Sequence, residues 1–256
     1  MQLNRRHFLV AAAGAAAFLA RPSLADTGCI ARLIEEAQSF AFIGARIAFI
    51  SRALLGTPYL GHTLIGGPNL TERFVTREDG FDCVTFCETV LAAARAPAPD
   101  AFAAELRRIR YRGGEIDWFA RNHYFAEWAQ NNIANGIVRP ILLPGARWRE
   151  KTLDYMPALT RRRVALAATP RASVAAFGGL LASGDIVGFL SRRPGLDYFH
   201  VGLIMVAADG ALWLRHASLT HGRVLDQPFA GFCASNGVRR VTLLRPQEVW
   251  SGETIA

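Results

Sequence analysis

The stretch FDCVTFCE at residues 81–88 decides the fold, because it begins an amphipathic helical pattern. Apolar residues recur at helical spacing as far as Arg95, and prolines follow at positions 97 and 99. Asp82 is suited to cap this helix, which places Cys83 in the first turn. Unpaired N–H groups and the helix dipole would favour a thiolate there, and the Cys83 N–H could donate to an oxyanion. Taken alone, the stretch leaves both interpretations open: a buried structural cysteine, which is the more common case, or a nucleophile.

Short runs of β-branched and aromatic residues follow Gly184, and helical patterns precede it. The strand-like runs cover residues 185–190, 199–206, 211–216, 222–225 and 238–244. Helical spacing covers residues 30–55, 100–109, 118–135 and 172–182, whereas residues 140–170 give no clear pattern. Helices first and antiparallel strands afterwards predict an α+β fold with a helix on an antiparallel sheet. We expect a single catalytic domain at residues 26–256, with an added helical region at about 95–180.

Two histidines lie on consecutive predicted strands. His200 is in the middle of the run 199–206, and His216 ends the next run. Because adjacent antiparallel strands can place two imidazoles side by side, His200 could take the proton of Cys83 while His216 accepts from its other nitrogen. A purely structural role is the alternative for either histidine.

Cysteine spacing gives little sign of a metal site. Cys83 and Cys87 are four residues apart on one helix face, but no second Cys/His pair has zinc-ligand spacing. We therefore predict no metal and no cofactor, with Cys87 as a small core residue. Whether Cys29 and Cys233 form a disulfide stays open.

Residues 1–25 have the pattern of a secretory signal peptide. Arg5 and Arg6 precede a short apolar run from Phe8 to Ala20, and small residues lead to a possible cleavage site after Ala25. The paired arginines resemble a twin-arginine signal. We expect a periplasmic protein without stable membrane insertion after cleavage; an uncleaved N-terminal anchor is the alternative.

Composition excludes several classes of protein. The 256 residues are 51% hydrophobic and 20% charged, which is typical of a globular chain and not of a disordered one. The formal net charge is +8, or +5 without residues 1–25. Basic blocks and an RNP-like aromatic motif are missing from the sequence, which argues against a nucleic-acid partner. Diffuse positive charge would suit an acidic substrate such as a cell-wall peptide.

Several short motifs together resemble known cell-wall hydrolases. GTPYLG, FDCVTFCE, SGDIVGF, FHVGLI and HAS, at residues 56–61, 81–88, 183–189, 199–204 and 216–218, resemble the NlpC-type papain-like cysteine peptidase superfamily. RYRGG at 110–114 and RNHYFAEW at 121–128 resemble its N-acetylmuramoyl-L-alanine amidase-like family. The resemblance implies a papain-like fold with Cys83 as nucleophile, His200 as general base and then acid, and His216 as its orienting partner. It also implies that Tyr59 and Asp82 line the substrate pocket.

The implied substrate is peptidoglycan or a muropeptide. The resemblance favours hydrolysis of the amide between N-acetylmuramic acid and L-Ala. A stem-peptide endopeptidase cutting between D-Glu and a diamino acid would use the same triad, and an acyltransferase or a non-catalytic wall-binding protein could keep the fold. His62 stands where the superfamily often has glycine. Arg112 and Arg121 could hold a substrate carboxylate or form ordinary surface ion pairs.

Overall fold

The computed structural model describes residues 29–249. Its α-helices are α1 (Cys29–Ala37), α2 (Ile43–Ala53), α3 (Cys83–Arg95), α4 (Phe102–Arg110), α5 (Phe125–Ala134), α6 (Arg171–Phe177) and α7 (Phe229–Ser235). Its strands are β1 (Ile65–Gly67), β2 (Leu70–Arg73), β3 (Val138–Pro140), β4 (Arg147–Leu153), β5 (Arg162–Pro170), β6 (Ile186–Leu190), β7 (Tyr198–Val206), β8 (Leu212–Ser218), β9 (Arg223–Pro228) and β10 (Arg240–Pro246). The predicted α+β class is confirmed.

Eight of these strands form one antiparallel sheet whose central strands are covered on both faces. The strand order is β4-β5-β10-β6-β7-β8-β9, and β3 pairs with β10. On one face, residues such as Leu203 and Leu244 join a core with helices α1 to α5. On the other face, Val187 and Leu214 join a second core with α6 and α7. The sheet is thus the middle layer of three.

Helix α3 is the central helix of the first core. Every residue from Thr85 to Arg95 is buried, and the helix packs against α2, α4 and strands β7 and β8. A capping box starts it: the Asp82 carboxylate accepts from the N–H groups of Val84 and Thr85, and the Thr85 hydroxyl accepts from the Asp82 N–H. The predicted cap and the position of Cys83 in the first turn are confirmed.

The structure differs from the sequence-based expectation between residues 95 and 180. Helix α5 begins at Phe125 rather than near residue 118, because Tyr111 and Arg121 form a β-bridge and Asp117 caps a turn between them. The first half of this region contains helices α4 and α5, whereas the second half contains strands β3, β4 and β5 before helix α6. Strand β4 is largely exposed and rich in charge, so it lacks the alternating apolar pattern that identifies a strand.

No helix within residues 29–249 is long and apolar enough to cross a membrane. The predicted signal peptide at residues 1–25 lies outside the described residues.

Candidate active site

Cys83 lies where the first turn of α3 meets strand β7. The ladder between β7 and β8 runs from Val206–Leu212 to Leu203–Arg215 and does not extend to His200. The backbone N–H groups of Val201, of Cys83 itself and of Val84 lie close enough to the Cys83 sulfur to lower its pKa. The peptide bond that joins His200 to Val201 therefore lies against the predicted nucleophile.

Burial governs the acidity of this thiol. Desolvation, with a further contribution from the Asp82 carboxylate, raises the pKa of Cys83 to about 12, although three backbone N–H groups act in the opposite direction. Cys83 retains some accessible surface, while protein atoms surround its sulfur densely. The expectation of a thiolate in the free protein is therefore wrong, because desolvation outweighs the helix N-terminus. The resting group is a neutral thiol.

The two predicted imidazoles are in contact. His200 Nε2 lies 2.6 Å from His216 Nδ1, and the rings meet edge to face with centroids 4.7 Å apart. Gly202 faces His216 across the two strands. A Cβ atom on Gly202 would lie 2.7 Å from Leu214 Cδ1 and 3.0 Å from the Cβ of His216, so a glycine is needed for β7 to pack this closely against the part of β8 that carries His216. The prediction that adjacent strands bring these rings together is confirmed.

A third side chain fixes the direction of hydrogen bonding through the pair. His216 Nε2 lies 2.8 Å from Gln227 Oε1, which can only accept, so His216 donates from Nε2. His216 Nδ1 then carries a lone pair and accepts from the Nε2–H of His200. The remaining nitrogen of His200, Nδ1, is left as an acceptor. Among the described residues, no hydrogen bond joins either ring to the Cys83 sulfur.

Aromatic residues cover the two histidines. The ring centroid of Phe232, on α7, lies 5.4 Å from that of His200 and 5.3 Å from that of His216. Phe189 stacks on His200 with the ring centroids 6.1 Å apart. Burial, followed by the charge of His216, lowers the pKa of His200 to about 3. Burial also lowers the pKa of His216, although Gln227 opposes this change. Both imidazoles are neutral at pH 7.

Tyr59 and Asp82 both lie beside Cys83, at the edge of a cavity of about 460 Å³ that we call the proximal cavity. Tyr59 pairs with Phe81 through a short parallel bridge. Desolvation, then the neighbouring Cys83 and Asp82, raises the pKa of Tyr59, so its hydroxyl keeps its proton at neutral pH. The structure thus brings together Tyr59, Asp82 and Cys83, and gives the Asp82 carboxylate a structural role as helix cap.

The backbone of the proximal cavity includes an unusual conformation at His62. Its φ of 58° lies in the left-handed region, and it is the one residue other than glycine within 29–249 with a positive φ. His62 therefore has a backbone conformation typical of glycine, which agrees with its position where the superfamily often has glycine.

A buried ion pair lies behind the first turns of α3. Arg110 Nε donates to Glu88 Oε2 at 2.7 Å, and the two side chains are only 3% and 2% exposed. Arg110 also donates to the Val75 carbonyl at 2.6 Å. Burial raises the pKa of Glu88, and Arg110 acts in the opposite direction. The pair ties α3 to the end of α4.

The other three cysteines take no part in the hydrogen-bonded chain described above. Cys29 belongs to the first core and Cys233 to the second, and both are free thiols, so they form no disulfide. Cys87 is fully buried in α3. Within residues 29–249, no group of three or more His, Cys, Asp or Glu side chains is arranged to hold a metal ion.

Gln227 and Phe232 are the site residues that sequence reasoning missed. The predicted strand ended at residue 225, so Gln227 fell outside it, whereas β9 continues to Pro228. The consecutive polar residues Asp226 and Gln227 beside β8 were the available signal. Helix α7, which carries Phe232, has only seven residues and no predicted pattern.

Comparisons with known proteins agree with this architecture. A crystal structure of an N-acetylmuramoyl-L-alanine amidase from Bacteroides uniformis ATCC 8492 has 27% sequence identity and a TM-score of 0.70, covering 80% of this chain and 99% of that one. A Legionella pneumophila protein of family DUF1460 has 20% identity and a TM-score of 0.74, covering 86% of this chain and 94% of that one; it supports the fold alone. A Bacteroides fragilis structure described as a xylanase has 26% identity and a TM-score of 0.66, covering 76% and 98%.

No curated protein sequence matches this chain significantly. The family model described as AmiA-like, N-acetylmuramoyl-L-alanine amidase-like, matches residues 49–238. That range contains the capped helix, both histidines and Gln227. The chain belongs to the AmiA-like family.

Proposed function

We propose that this protein is a cysteine amidase that hydrolyses the bond between N-acetylmuramic acid and L-Ala in peptidoglycan or muropeptides. The observation that carries the proposal is the directed chain from Gln227 through His216 to His200, beside a cysteine at a helix start. Family membership supports a peptidoglycan-related substrate. Cys83, His200 and His216 are the proposed catalytic residues.

Both partners are neutral at rest, so the proton moves during attack. Cys83 Sγ bonds to the carbonyl carbon while His200 Nδ1 takes the thiol proton. His216, held by Gln227, stabilises the imidazolium that forms. The oxyanion would accept from the Cys83 N–H and from the protonated Tyr59 hydroxyl.

Collapse of the tetrahedral intermediate breaks the C–N bond, and His200 returns the proton to the leaving amine. A water then attacks the thioester with His200 again as base. The acid is released and the thiol is restored. Every step uses residues of this chain and water alone.

The test is digestion of defined muropeptides, with mass spectrometry to identify the bond that is cut. Release of free N-acetylmuramic acid and of a stem peptide with an L-Ala amino terminus supports the amidase. Release of the diamino acid, with L-Ala and D-Glu still attached to the sugar, would support the stem-peptide endopeptidase instead. Cys83→Ala must abolish turnover, whereas Cys87→Ala, one turn along the same helix, must retain it.

A non-catalytic wall-binding protein is the alternative from a different class. It would bind muropeptides without cutting them, and Cys83→Ala would leave its behaviour unchanged. A glycosidase has less support, because glycoside hydrolysis uses two carboxyl groups flanking the bond. The nearby carboxylates of Asp82 and Glu88 are held by the helix cap and by Arg110.

We also propose that the chain is exported to the periplasm by the twin-arginine route, on the strength of residues 1–25. Cell fractionation tests this: replacement of Arg5 and Arg6 by lysine should retain the protein in the cytoplasm. Unchanged export of that variant would contradict the route.

A further inference from the structure

A second cavity continues from the proximal one, away from the first turn of α3. This distal cavity, of about 410 Å³, shares Arg121, Asn122 and His123 with the proximal cavity and extends to Arg112. The two cavities therefore adjoin each other, and the proximal one reaches Tyr59, Asp82 and Val84, the residues next to Cys83. A substrate longer than the scissile bond could occupy both.

The backbone holds two arginines at the distal cavity. The Arg112 N–H donates to the Ala120 carbonyl at 2.8 Å, and the Asn122 N–H donates to the Arg110 carbonyl at 3.0 Å. These bonds flank the bridge between Tyr111 and Arg121. Arg112 and Arg121 are consequently fixed on neighbouring backbone segments that line the same cavity.

Arg121 is an anchored guanidinium with spare donors. Its Nη1 donates to Glu72 Oε1 at 2.9 Å, and the Tyr111 hydroxyl donates to the same oxygen at 2.8 Å. Glu72 Oε2 is buried without a hydrogen-bond partner. The ion pair therefore has one hydrogen bond between the two side chains, whereas a bidentate arginine–carboxylate pair has two. The other guanidinium N–H groups of Arg121 make no hydrogen bond with the described residues.

The charges around the distal cavity leave one cation unpaired. Arg162 forms an ion pair with Glu127, and Arg121 pairs with Glu72. Arg112 is exposed and has no carboxylate partner among residues 29–249; its one side-chain hydrogen bond there goes to the Phe119 carbonyl at 3.3 Å. A ligand with carboxylate groups would complement the unpaired positive charge of Arg112.

We propose that the distal cavity is a carboxylate subsite, in which Arg112 and Arg121 bind the free carboxylates of the stem peptide. The proposal rests on the proposed function, because that function places the scissile bond at Cys83. It makes Arg112 and Arg121 determinants of specificity and gives them no part in bond cleavage. Amidated stem peptides, which have the same shape without the charge, would be poor ligands.

The test is calorimetric binding to the full chain carrying Cys83→Ala, which cannot turn over its ligand. The two ligands are N-acetylmuramoyl-L-Ala-D-Glu-diamino acid with free carboxylates and the same molecule with its carboxyl groups amidated. We expect the acid to bind about tenfold more tightly than the amide, since hydrogen bonds to charged groups are the stronger ones. Arg112→Gln should reduce that ratio to about threefold or less.

Arg112 is the position to change because its side chain is exposed, whereas Arg121→Gln would leave the buried Glu72 without its cation. Arg52→Gln, on the exposed side of α2, makes the same change of charge outside both cavities and should preserve the ratio. Equal affinity for acid and amide, a ratio unaffected by Arg112→Gln, or binding of neither ligand would overturn the proposal.

The two proposals fail separately. If the unmodified chain cuts acid and amide with equal kcat/KM, the carboxylate subsite is wrong and the amidase stands. If the chain cuts neither, yet its Cys83→Ala form prefers the acid through Arg112, the subsite stands and the hydrolase is wrong.

Discussion

Asp82 serves both the stability of helix α3 and the acidity of Cys83, and two substitutions separate these effects. Its Oδ1 atom accepts from the N–H groups of Val84 at 3.0 Å and Thr85 at 2.7 Å. Asp82→Ala removes both hydrogen bonds, whereas Asp82→Asn keeps an oxygen in the same place and removes only the charge.

The stability cost follows from the cap. Loss of an N-cap costs about 1 kcal/mol and up to about 2 kcal/mol, and the two N–H groups of this cap are partly buried, so we expect Asp82→Ala to be near the upper value. In a chain of this size that lowers Tm by roughly 4–8 °C. Asp82→Asn should cost no more than about 0.5 kcal/mol, because asparagine is among the best N-cap residues.

The chemical effect has the opposite sign. The Asp82 charge helps to raise the pKa of Cys83, so Asp82→Asn should lower that pKa and increase the thiolate fraction at pH 8. Each unit of lowered pKa gives about ten times more thiolate, but a less basic thiolate is about threefold less nucleophilic, so the alkylation rate rises about threefold per unit.

The assay is alkylation by iodoacetamide at pH 8, with mass spectrometry of the peptide that contains Cys83, beside thermal unfolding of each variant. Asp100→Asn is the matched control, since it removes an exposed carboxylate from a residue that caps no helix by its side chain. The reasoning is refuted if Asp82→Asn destabilises the protein as much as Asp82→Ala, or if its Cys83 is alkylated no faster than in the unchanged protein.

Three further predictions test the packing around the site. Gly202→Ala should lower turnover at least about tenfold and destabilise the protein by about 1–3 kcal/mol, because the new Cβ would press on Leu214 and on the Cβ of His216. Gly179→Ala, where a Cβ meets no atom within 4 Å, should change neither, and equal effects of the two substitutions would contradict the argument. Glu88→Gln should cost about 3 kcal/mol in urea unfolding because it leaves a buried arginine unpaired, and a loss below about 1 kcal/mol would refute a buried pair. The free energy of unfolding should fall as pH drops from about 6.5 towards 3, because the unfolded chain protonates His200 in this range and the folded chain keeps it neutral. His200→Gln should flatten that pH dependence, and an unchanged slope in the variant would count against a buried, neutral imidazole.

The parts of the site that could be predicted from the sequence are those whose determinants are local. Asp82 precedes a helical pattern, and a cap followed by that pattern fixes where α3 starts. The strands that carry His200 and His216 are mostly apolar, and Asp209-Gly210, a dipeptide typical of hairpin turns, lies between them. These local features were enough to predict that the two strands pair. Gln227 could not be found this way, because its contact with His216 depends on where β9 ends.

The acidity of the nucleophile shows where local reasoning stops. The helix N-terminus acts on Cys83 in the expected direction, through its own N–H and that of Val84. Desolvation acts against them and prevails, and it depends on how densely the rest of the chain surrounds the sulfur. That density is a property of the tertiary structure, which the spacing of residues along α3 does not encode.

A neutral thiol in the resting site also suits the compartment that we propose. Oxidation proceeds through the thiolate, so a cysteine that ionises only when His200 takes its proton is slow to form sulfenic acid or mixed disulfides in the periplasm. Cover by Phe232 and Phe189 keeps His200 neutral and therefore ready to act as a base. The burial that makes Cys83 a weak acid in the absence of substrate thus protects the thiol from oxidation. When substrate is bound, His200, held by the hydrogen-bonded chain from His216 to Gln227, is the base that takes its proton.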